Sequence, residues 1–245
     1  TKKGALYHLD WNDIPTYFKD EKGRVEKWSF FGGDLQGIIE NLDYLESLGV
    51  TILYLNPIFQ AASNHKYDTA DYFKIDPLFG NEEDFKNLIA EAQKRGISIL
   101  LDGVFSHTGS DSIYFNKEGH FPQLGAYQSK NSPYYPWYNF KDHPEEYDSW
   151  WGIDVLPNAD KEEPSFQDFI YGKENSVVRY WLKAGASGWR LDVADELPDE
   201  FIRGIKNALL EENPEGVLIG EVWEDASNKI SYGKLREYFW GLELD

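Results

Sequence analysis

Four short segments rich in β-branched and aliphatic residues are the feature that most constrains the fold of this chain. They are residues 50–56, 97–104, 187–193 and 216–223. Each is typical of a buried strand, and a stretch with helical spacing of apolar residues separates each from the next. Buried strands that alternate with amphipathic helices indicate a parallel sheet. The pattern leaves two architectures open, a doubly wound open sheet and a (β/α)8 barrel.

Four stretches predict the intervening helices. Residues 34–48 and 81–95 carry apolar side chains at helical spacing and are each followed by a glycine, where a helix commonly ends. The second of these also opens with a capping residue and acidic side chains, which favour a helix N-terminus. Weaker versions of the same pattern predict helices over 175–184 and 199–212.

Composition excludes several classes of protein. The formal net charge is -19, and no block of Lys and Arg is present, so a nucleic-acid partner is not expected. The chain has no cysteine, which excludes disulfides and thiolate metal sites. No apolar run approaches the roughly 18 residues of a membrane span, so we expect a soluble chain without a membrane partner. None of these features indicates a cellular compartment.

The predicted strands end in polar or ionisable residues. These residues are Asn56, Asp102 with His107 just beyond it, Arg190 with Asp192, and Glu221. In α/β folds the ligand site lies at the carboxyl ends of the strands. Because strand side chains alternate, Arg190 and Asp192 share a face and can touch. Two carboxylates that face one cleft, roughly 5 Å apart, one held ionised by an arginine and the other with a raised pKa, are what retaining glycosidases need.

Each of these residues also has a purely structural interpretation. A single Asp at a strand end is about as often a surface residue or half of a buried ion pair. Three acids at three successive strand ends favour a site. His107 and His65, taken alone, are more often hydrogen-bonded structural residues. The five histidines show no zinc-like spacing, so we predict no catalytic metal.

An unusually long interval separates the second and third predicted strands. Its residues 106–165 are rich in Tyr, Trp, Pro, Asn and Gly and predict an inserted subdomain that overhangs the carboxyl ends of the strands. We expect the aromatic cluster 134–138 and the pair Trp150 and Trp151 to form the core of this insert. The alternative is that they are platforms on which sugar rings stack.

Three ordered motifs resemble conserved regions of one family. DGVFSH at 102–107, GWRLDVADE at 188–196 and GEVW at 220–223 are similar to the first, second and third regions of the α-amylase superfamily, glycoside hydrolase family 13. Ser106 stands where many members have Asn. The likeness covers nearly the whole chain and is strongest to the neopullulanase, cyclomaltodextrinase and amylopullulanase-like group. The supporting stretches are FFGGDLQGI at 30–38, NPIF at 56–59, NHKYDTADY at 64–72 and LPNAD at 156–160.

The resemblance implies a fold and a division of the chain. The fold is α/β, a (β/α)8 TIM barrel with an inserted domain B after the third strand, of which this chain covers about strands 2 to 5 or 6. Residues 1–105 are then the first part of the catalytic barrel. Residues 106–165 are domain B, and residues 166–245 continue the barrel and stop before its last strands.

The resemblance also implies roles for particular residues. Asp192 is the nucleophile and Glu221 the general acid/base in hydrolysis of α-1,4 and, as a second linkage, α-1,6 glucosidic bonds of starch, pullulan or maltooligosaccharides. Arg190 holds Asp192 ionised. The other substrate-binding residues implied by the resemblance are Asp102, which supports the geometry, His107, which binds a sugar hydroxyl, Tyr67, which stacks under that sugar, and Trp223.

One departure from the family pattern bears on activity. A third carboxylate, on a His-Asp motif after the seventh strand, has no counterpart before Asp245, and neither has the Tyr and Asp-Arg-Phe signature of the first strand. We therefore expect this polypeptide by itself to be poorly stable and inactive. The competing hypothesis is a glucan-binding homologue without activity. No cofactor is required for the chemistry, and the sequence does not determine calcium binding or oligomeric state.

Overall fold

The computed structural model describes residues 5–16, 18–21, 23, 25–239 and 244, with backbone alone at 25–27. The strands are β1 (Ala5–Tyr7), β2 (Phe18–Lys19), β3 (Val25–Phe30), β4 (Ile52–Tyr54), β5 (Phe59–Ala61), β6 (Thr69–Ile75), β7 (Ser98–Gly103), β8 (Phe140–Asp142), β9 (Glu146–Tyr147), β10 (Gly188–Leu191), β11 (Val217–Gly220), β12 (Ile230–Ser231) and β13 (Lys234–Leu235). The α-helices are α1 (Leu35–Glu40), α2 (Leu42–Ser47), α3 (Glu82–Gln93), α4 (Pro164–Gln167), α5 (Val177–Lys183) and α6 (Asp199–Glu212). A π-helical turn (Asp168–Gly172) follows α4, and single 3₁₀ turns lie at Tyr135–Trp137, Trp150–Gly152, Ala194–Glu196 and Ala226–Asn228.

The four strands that the sequence predicts form one parallel sheet. Its order is β11-β10-β7-β4, and every neighbouring pair is parallel. The register pairs Arg190 of β10 with Asp102 of β7 on one side and with Ile219 of β11 on the other. The parallel sheet is thus confirmed, and closure into an eight-stranded barrel stays a prediction. Because all four strands run the same way, their polar carboxyl ends lie at one edge.

The predicted helices form, with one correction. Helices α3, α5 and α6 lie within the expected ranges, and Asn81 and Asp84 close a capping box at the start of α3. The stretch 34–48 is two helices rather than one, because the chain breaks at Asn41 (φ -109°, ψ 6°). There the Asn41 side chain donates 2.8 Å to the Gly37 carbonyl, and such local side-chain bonds compete with helix continuation.

One continuous apolar core joins the sheet, the helices and residues of the 106–165 segment. Trp189 of β10 and Trp181 of α5 are fully buried in it. Tyr114, from the segment after β7, packs against Tyr72 with ring centroids 5.6 Å apart and accepts a hydrogen bond from the Tyr72 amide at 3.1 Å. Trp137 is also buried, as expected for the aromatic cluster 134–138. The predicted domain boundaries stay predictions.

The 106–165 segment contains little regular structure and folds back on the end of β7. Its antiparallel contacts include a bridge between His107 and Asn158. The amide of Ala159 donates 3.0 Å to the Ser106 carbonyl. This return places the segment over the carboxyl edge of the sheet. In the described part of the chain, none of the helices combines the length and the apolar character needed to cross a membrane.

Candidate active site

Arg190 is the centre of a cluster of charged side chains at the carboxyl edge of the sheet. Its guanidinium donates 2.9 Å and 3.0 Å to the two oxygens of Asp102 and 2.9 Å to Asp192. The same group lies 2.7 Å from Glu221 Oε1. The sheet register explains this convergence, because Arg190 pairs with Asp102 and the other two acids follow the ends of β10 and β11. Three carboxylates therefore surround one guanidinium.

The backbone that follows Asp192 is hydrogen-bonded to Glu221. The amide of Val193 donates 2.9 Å to the Glu221 carboxylate, and the amide of Ala194 donates 2.9 Å to the Glu221 carbonyl. Val193 holds a left-handed conformation (φ 46°, ψ 52°), which is strained for a β-branched residue. Such strain persists only where the surrounding structure enforces it, and it clusters at functional sites. Here the strained conformation directs the Val193 amide toward the Glu221 carboxylate.

Asp102 is buried and accepts hydrogen bonds from two phenols as well as from the Arg190 guanidinium. Tyr67 donates 3.0 Å to Asp102 Oδ2, and Tyr54 donates a short hydrogen bond to the same oxygen. Arg190 also lies over the Tyr54 ring, with its guanidinium carbon 5.6 Å from the centroid. Burial, followed by the Coulomb effect of Asp102, raises the pKa of Tyr67 to about 12, so its phenol remains a donor at neutral pH.

A buried ion pair positions Tyr67. This residue lies in the turn between β5 and β6, immediately after Lys66, whose side chain is buried. Lys66 Nζ donates 2.8 Å to Asp76 and 3.3 Å to the Ala61 carbonyl. These bonds fasten the turn to both strands of the hairpin. The family resemblance implies Tyr67 as a site residue, but the sequence does not indicate the lysine that holds it.

His107 is buried beneath the same turn. One ring nitrogen, Nε2, lies 3.0 Å from the Tyr67 carbonyl, and the other, Nδ1, lies 2.9 Å from the Ser106 hydroxyl. A carbonyl can only accept, so Nε2 carries the proton and the Ser106 hydroxyl donates to Nδ1. Burial lowers the pKa of His107 to about 4, which keeps the ring neutral. Binding of a sugar hydroxyl by His107 requires one of these bonds to be exchanged.

These residues line one pocket of about 890 Å³. Asp192 and Glu221 lie in its wall beside Tyr67 and His107, and with Trp223 five of the seven predicted site residues face one space. Trp223 lines the same pocket with 55% of its surface exposed. Asp102 and Arg190 do not line the pocket but are hydrogen-bonded to residues that do, Asp102 to Tyr67 and Arg190 to Asp192. Asn56, the remaining polar residue at a predicted strand end, is exposed and lies outside the pocket wall.

The pKa of Asp192 is raised to about 7. Burial is the largest cause, and the negative charge of Asp102 is the next. Arg190 opposes both, as expected from sequence, but does not outweigh them. The negative charge of Asp102 adds to the effect of burial, so Asp192 is only partly ionised near neutral pH.

Comparisons with known proteins assign this chain to a family. The model of the alpha amylase catalytic domain matches residues 14–238. The chain belongs to the α-amylase catalytic-domain family. An amylopullulanase of Thermoanaerobacterium saccharolyticum is 44% identical over 249 residues, which cover 90% of this chain and 19% of that protein. Neopullulanase 2 of Thermoactinomyces vulgaris is 38% identical over 226 residues, covering 88% and 36%.

A solved structure shows the same likeness in three dimensions. The type III pullulan hydrolase from Thermococcus kodakarensis superposes with a TM-score of 0.78 at 32% identity, covering 97% of this chain and 38% of that one. The chain therefore spans about a fifth to two fifths of the length of these relatives. It is a partial segment of an α-amylase catalytic domain, similar to amylopullulanases and neopullulanases, as the motifs predict.

Two features of this α-amylase-family site were missed or misassigned from sequence. Tyr54 was not singled out, although alternation along β4 places it on one face of the strand with the polar Asn56 beyond it. The pair Trp150 and Trp151 was expected in the core, and this was wrong. Trp150 lines the pocket and Trp151 is 70% exposed, because the chain turns outward here through left-handed backbone at Trp151 (φ 52°).

The site contains acids but not a cluster of metal ligands. Among the described residues, no group of three His, Asp or Glu side chains is arranged to hold a metal ion. The carboxylates of the pocket instead bind Arg190 and the Val193 amide. The absence of a catalytic metal in the protein stays a prediction.

Proposed function

We propose that this chain is the catalytic-domain segment of a retaining α-glucan hydrolase, built into a (β/α)8 barrel with residues 106–165 as its inserted domain. The observation that carries the proposal is the placement of Asp192 and Glu221 on one guanidinium within one pocket. A retaining mechanism requires two carboxylates that flank a single glycosidic bond, and their shared contact with Arg190 brings these two into one pocket. The substrates are α-1,4-linked glucans, with α-1,6 bonds as the second linkage. The relatives named amylopullulanase and neopullulanase support this class.

The chemistry proceeds in two balanced steps. The Asp192 carboxylate attacks the anomeric carbon while the bond to the leaving oxygen breaks, and Glu221 gives its proton to that oxygen. Glu221 then accepts a proton from water as the water oxygen attacks the same carbon, which releases Asp192. Two inversions retain the α configuration. The raised pKa of Asp192 leaves its carboxyl only partly ionised near neutral pH, and the attack on the anomeric carbon uses the ionised form.

The supporting residues act by position and charge. Arg190 and the phenols of Tyr54 and Tyr67 hold Asp102 in place, and Arg190 also orients Asp192. Tyr67 and His107 form the wall against which a sugar ring lies. A neutral glucan needs no counter-charge, so the acidic character of the chain does not oppose its binding.

The proposal is tested in the full-length protein that carries this chain. Asp192→Asn should reduce hydrolysis of maltohexaose by at least roughly 10⁴-fold, because the nucleophile is lost. A fluorinated α-glucosyl fluoride should form a glucosyl-enzyme that water hydrolyses slowly. It should therefore label the wild type on the peptide that contains Asp192. Proton NMR of the first product should show the α anomer.

Three results would contradict this assignment: full activity in the asparagine variant, a label elsewhere, or a β anomer as first product. Binding of maltohexaose by calorimetry without any hydrolysis would instead favour the glucan-binding homologue. Lys74→Met provides a matched control, because Lys74 is exposed and its ion pair with Asp71 lies outside the pocket wall.

A further inference from the structure

Trp151 is an exposed aromatic residue held in a defined position at the rim of the pocket. Its indole Nε1 donates 3.1 Å to Glu196, and its ring stacks on Trp150 with centroids 5.4 Å apart. The Trp223 ring meets it edge to face, also at 5.4 Å. Trp150 and Trp223 both line the pocket, so Trp151 extends the aromatic surface of the pocket outward.

The backbone conformation of Trp151 is one that costs free energy. Its φ of 52° and ψ of 27° lie in the left-handed region, which non-glycine residues seldom occupy. Burial of the side chain does not compensate this cost, because 70% of the residue is exposed. Strain kept without burial indicates a functional constraint. An exposed, fixed indole presents a flat apolar face to a ligand.

The position of the indole relative to the two acids indicates which part of a glucan it meets. Glu221 is the proposed proton donor to the leaving oxygen, and Trp223 follows it by two residues. Trp151 lies against Trp223 and against Glu196, which belongs to the turn after Asp192. The surface therefore continues from the side of the proton donor, where the leaving group of the substrate departs.

We propose that Trp151 stacks on a glucose ring of the leaving-group portion of an α-glucan and so sets the preference for longer chains. The proposal rests on the proposed function of the site. Glu196 and Trp223 prevent the indole from rotating away, so little ordering cost remains when the sugar binds. The same ring holds an acceptor sugar in place of water during the second step, which favours transfer over hydrolysis.

The test compares Trp151→Ala with the wild type in the full-length protein. KM for maltohexaose should rise roughly three- to tenfold, the range expected for one aromatic contact. Activity on an aryl α-maltoside, whose leaving group is not a sugar, should change less than twofold. The ratio of transfer products to hydrolysis products at high maltotriose concentration should fall. Trp151→Phe should restore part of each effect because it keeps a flat ring.

Trp11→Ala is the matched control, since Trp11 is 76% exposed and lies outside the pocket wall. Equal KM values for maltohexaose in the Trp151 and Trp11 variants would overturn this inference. The proposed function would still stand in that case, provided that the wild type is active. An equal rise in KM for the aryl substrate would also overturn it, because the loss would then lie elsewhere in the site. A wild type that neither hydrolyses nor binds maltohexaose would overturn both proposals.

Discussion

Asp192 is a carboxyl group whose ionisation the fold opposes. Its pKa lies at about 7 against an ordinary 3.8, with burial as the main cause. The proposed attack on carbon requires the ionised form, so kcat/KM should rise with pH along a limb centred near 7. Asp102→Asn removes a neighbouring negative charge and should move that limb to lower pH. A limb that stays in place in this variant, measured on an aryl α-maltoside, would contradict the assigned cause.

The raised pKa of Asp192 also makes the free energy of unfolding depend on pH. A carboxyl whose folded pKa exceeds its unfolded pKa costs stability as pH rises from about 4 to about 7, because the folded state resists ionisation. Asp192→Asn cannot ionise. It should therefore be more stable than the wild type by ~1–3 kcal/mol at pH 8 and gain little at pH 4.

Urea unfolding at the two pH values measures this difference. Asp148→Asn, a change at a half-exposed carboxylate of the 106–165 segment, serves as the control and should give the same small effect at both. A stability gain that is independent of pH would show that the asparagine acts through packing.

At the scale of elements, the hairpin of β5 and β6 depends on the buried pair of Lys66 and Asp76. Both side chains are at most 2% exposed, and Nζ lies 2.8 Å from the carboxylate. Lys66→Met leaves the acid buried without its cation and should cost about 3 kcal/mol of unfolding free energy. Because Tyr67 follows directly, kcat/KM should fall as well.

The matched change is Lys74→Met on the same hairpin. Lys74 is 67% exposed and pairs with Asp71 at 3.3 Å, so its loss should cost less than about 0.5 kcal/mol. Denaturant midpoints and kcat/KM measured together would separate the two sites. Equal effects of the two substitutions would show that the buried pair does not hold the turn.

At the scale of the whole molecule, the 106–165 segment and the sheet share one core, so they should unfold together. Tyr114→Ala removes a buried ring from that core and should cost about 3–5 kcal/mol. Tyr114→Phe keeps the ring and loses only the bond from the Tyr72 amide, which is worth about 1 kcal/mol. Hydrogen exchange should show β7 and β10 losing protection as much as the 106–165 segment. Faster exchange in that segment alone would contradict a shared core.

The strands, three of the helices and the acids at the strand ends could be predicted from sequence, because each depends on short-range order. Period-two and helical spacing are properties of neighbouring residues, and parallel strands bring their carboxyl ends together whatever lies between them. Asp102, Arg190, Asp192 and Glu221 are such residues. The α-amylase resemblance added Tyr67, which lies in a hairpin turn that periodicity did not indicate.

Other features depend on contacts between residues distant in the chain, and only the tertiary structure decided them. The pKa of Asp192 depends on burial and on Asp102, which lies on another strand, so adjacency to Arg190 predicted its direction wrongly. Tyr54 joins the site through the sheet register. Trp151 is exposed rather than buried because its backbone turns outward against Trp223 and Glu196. Local sequence determines which residues can ionise or stack, and long-range packing determines their charge and exposure.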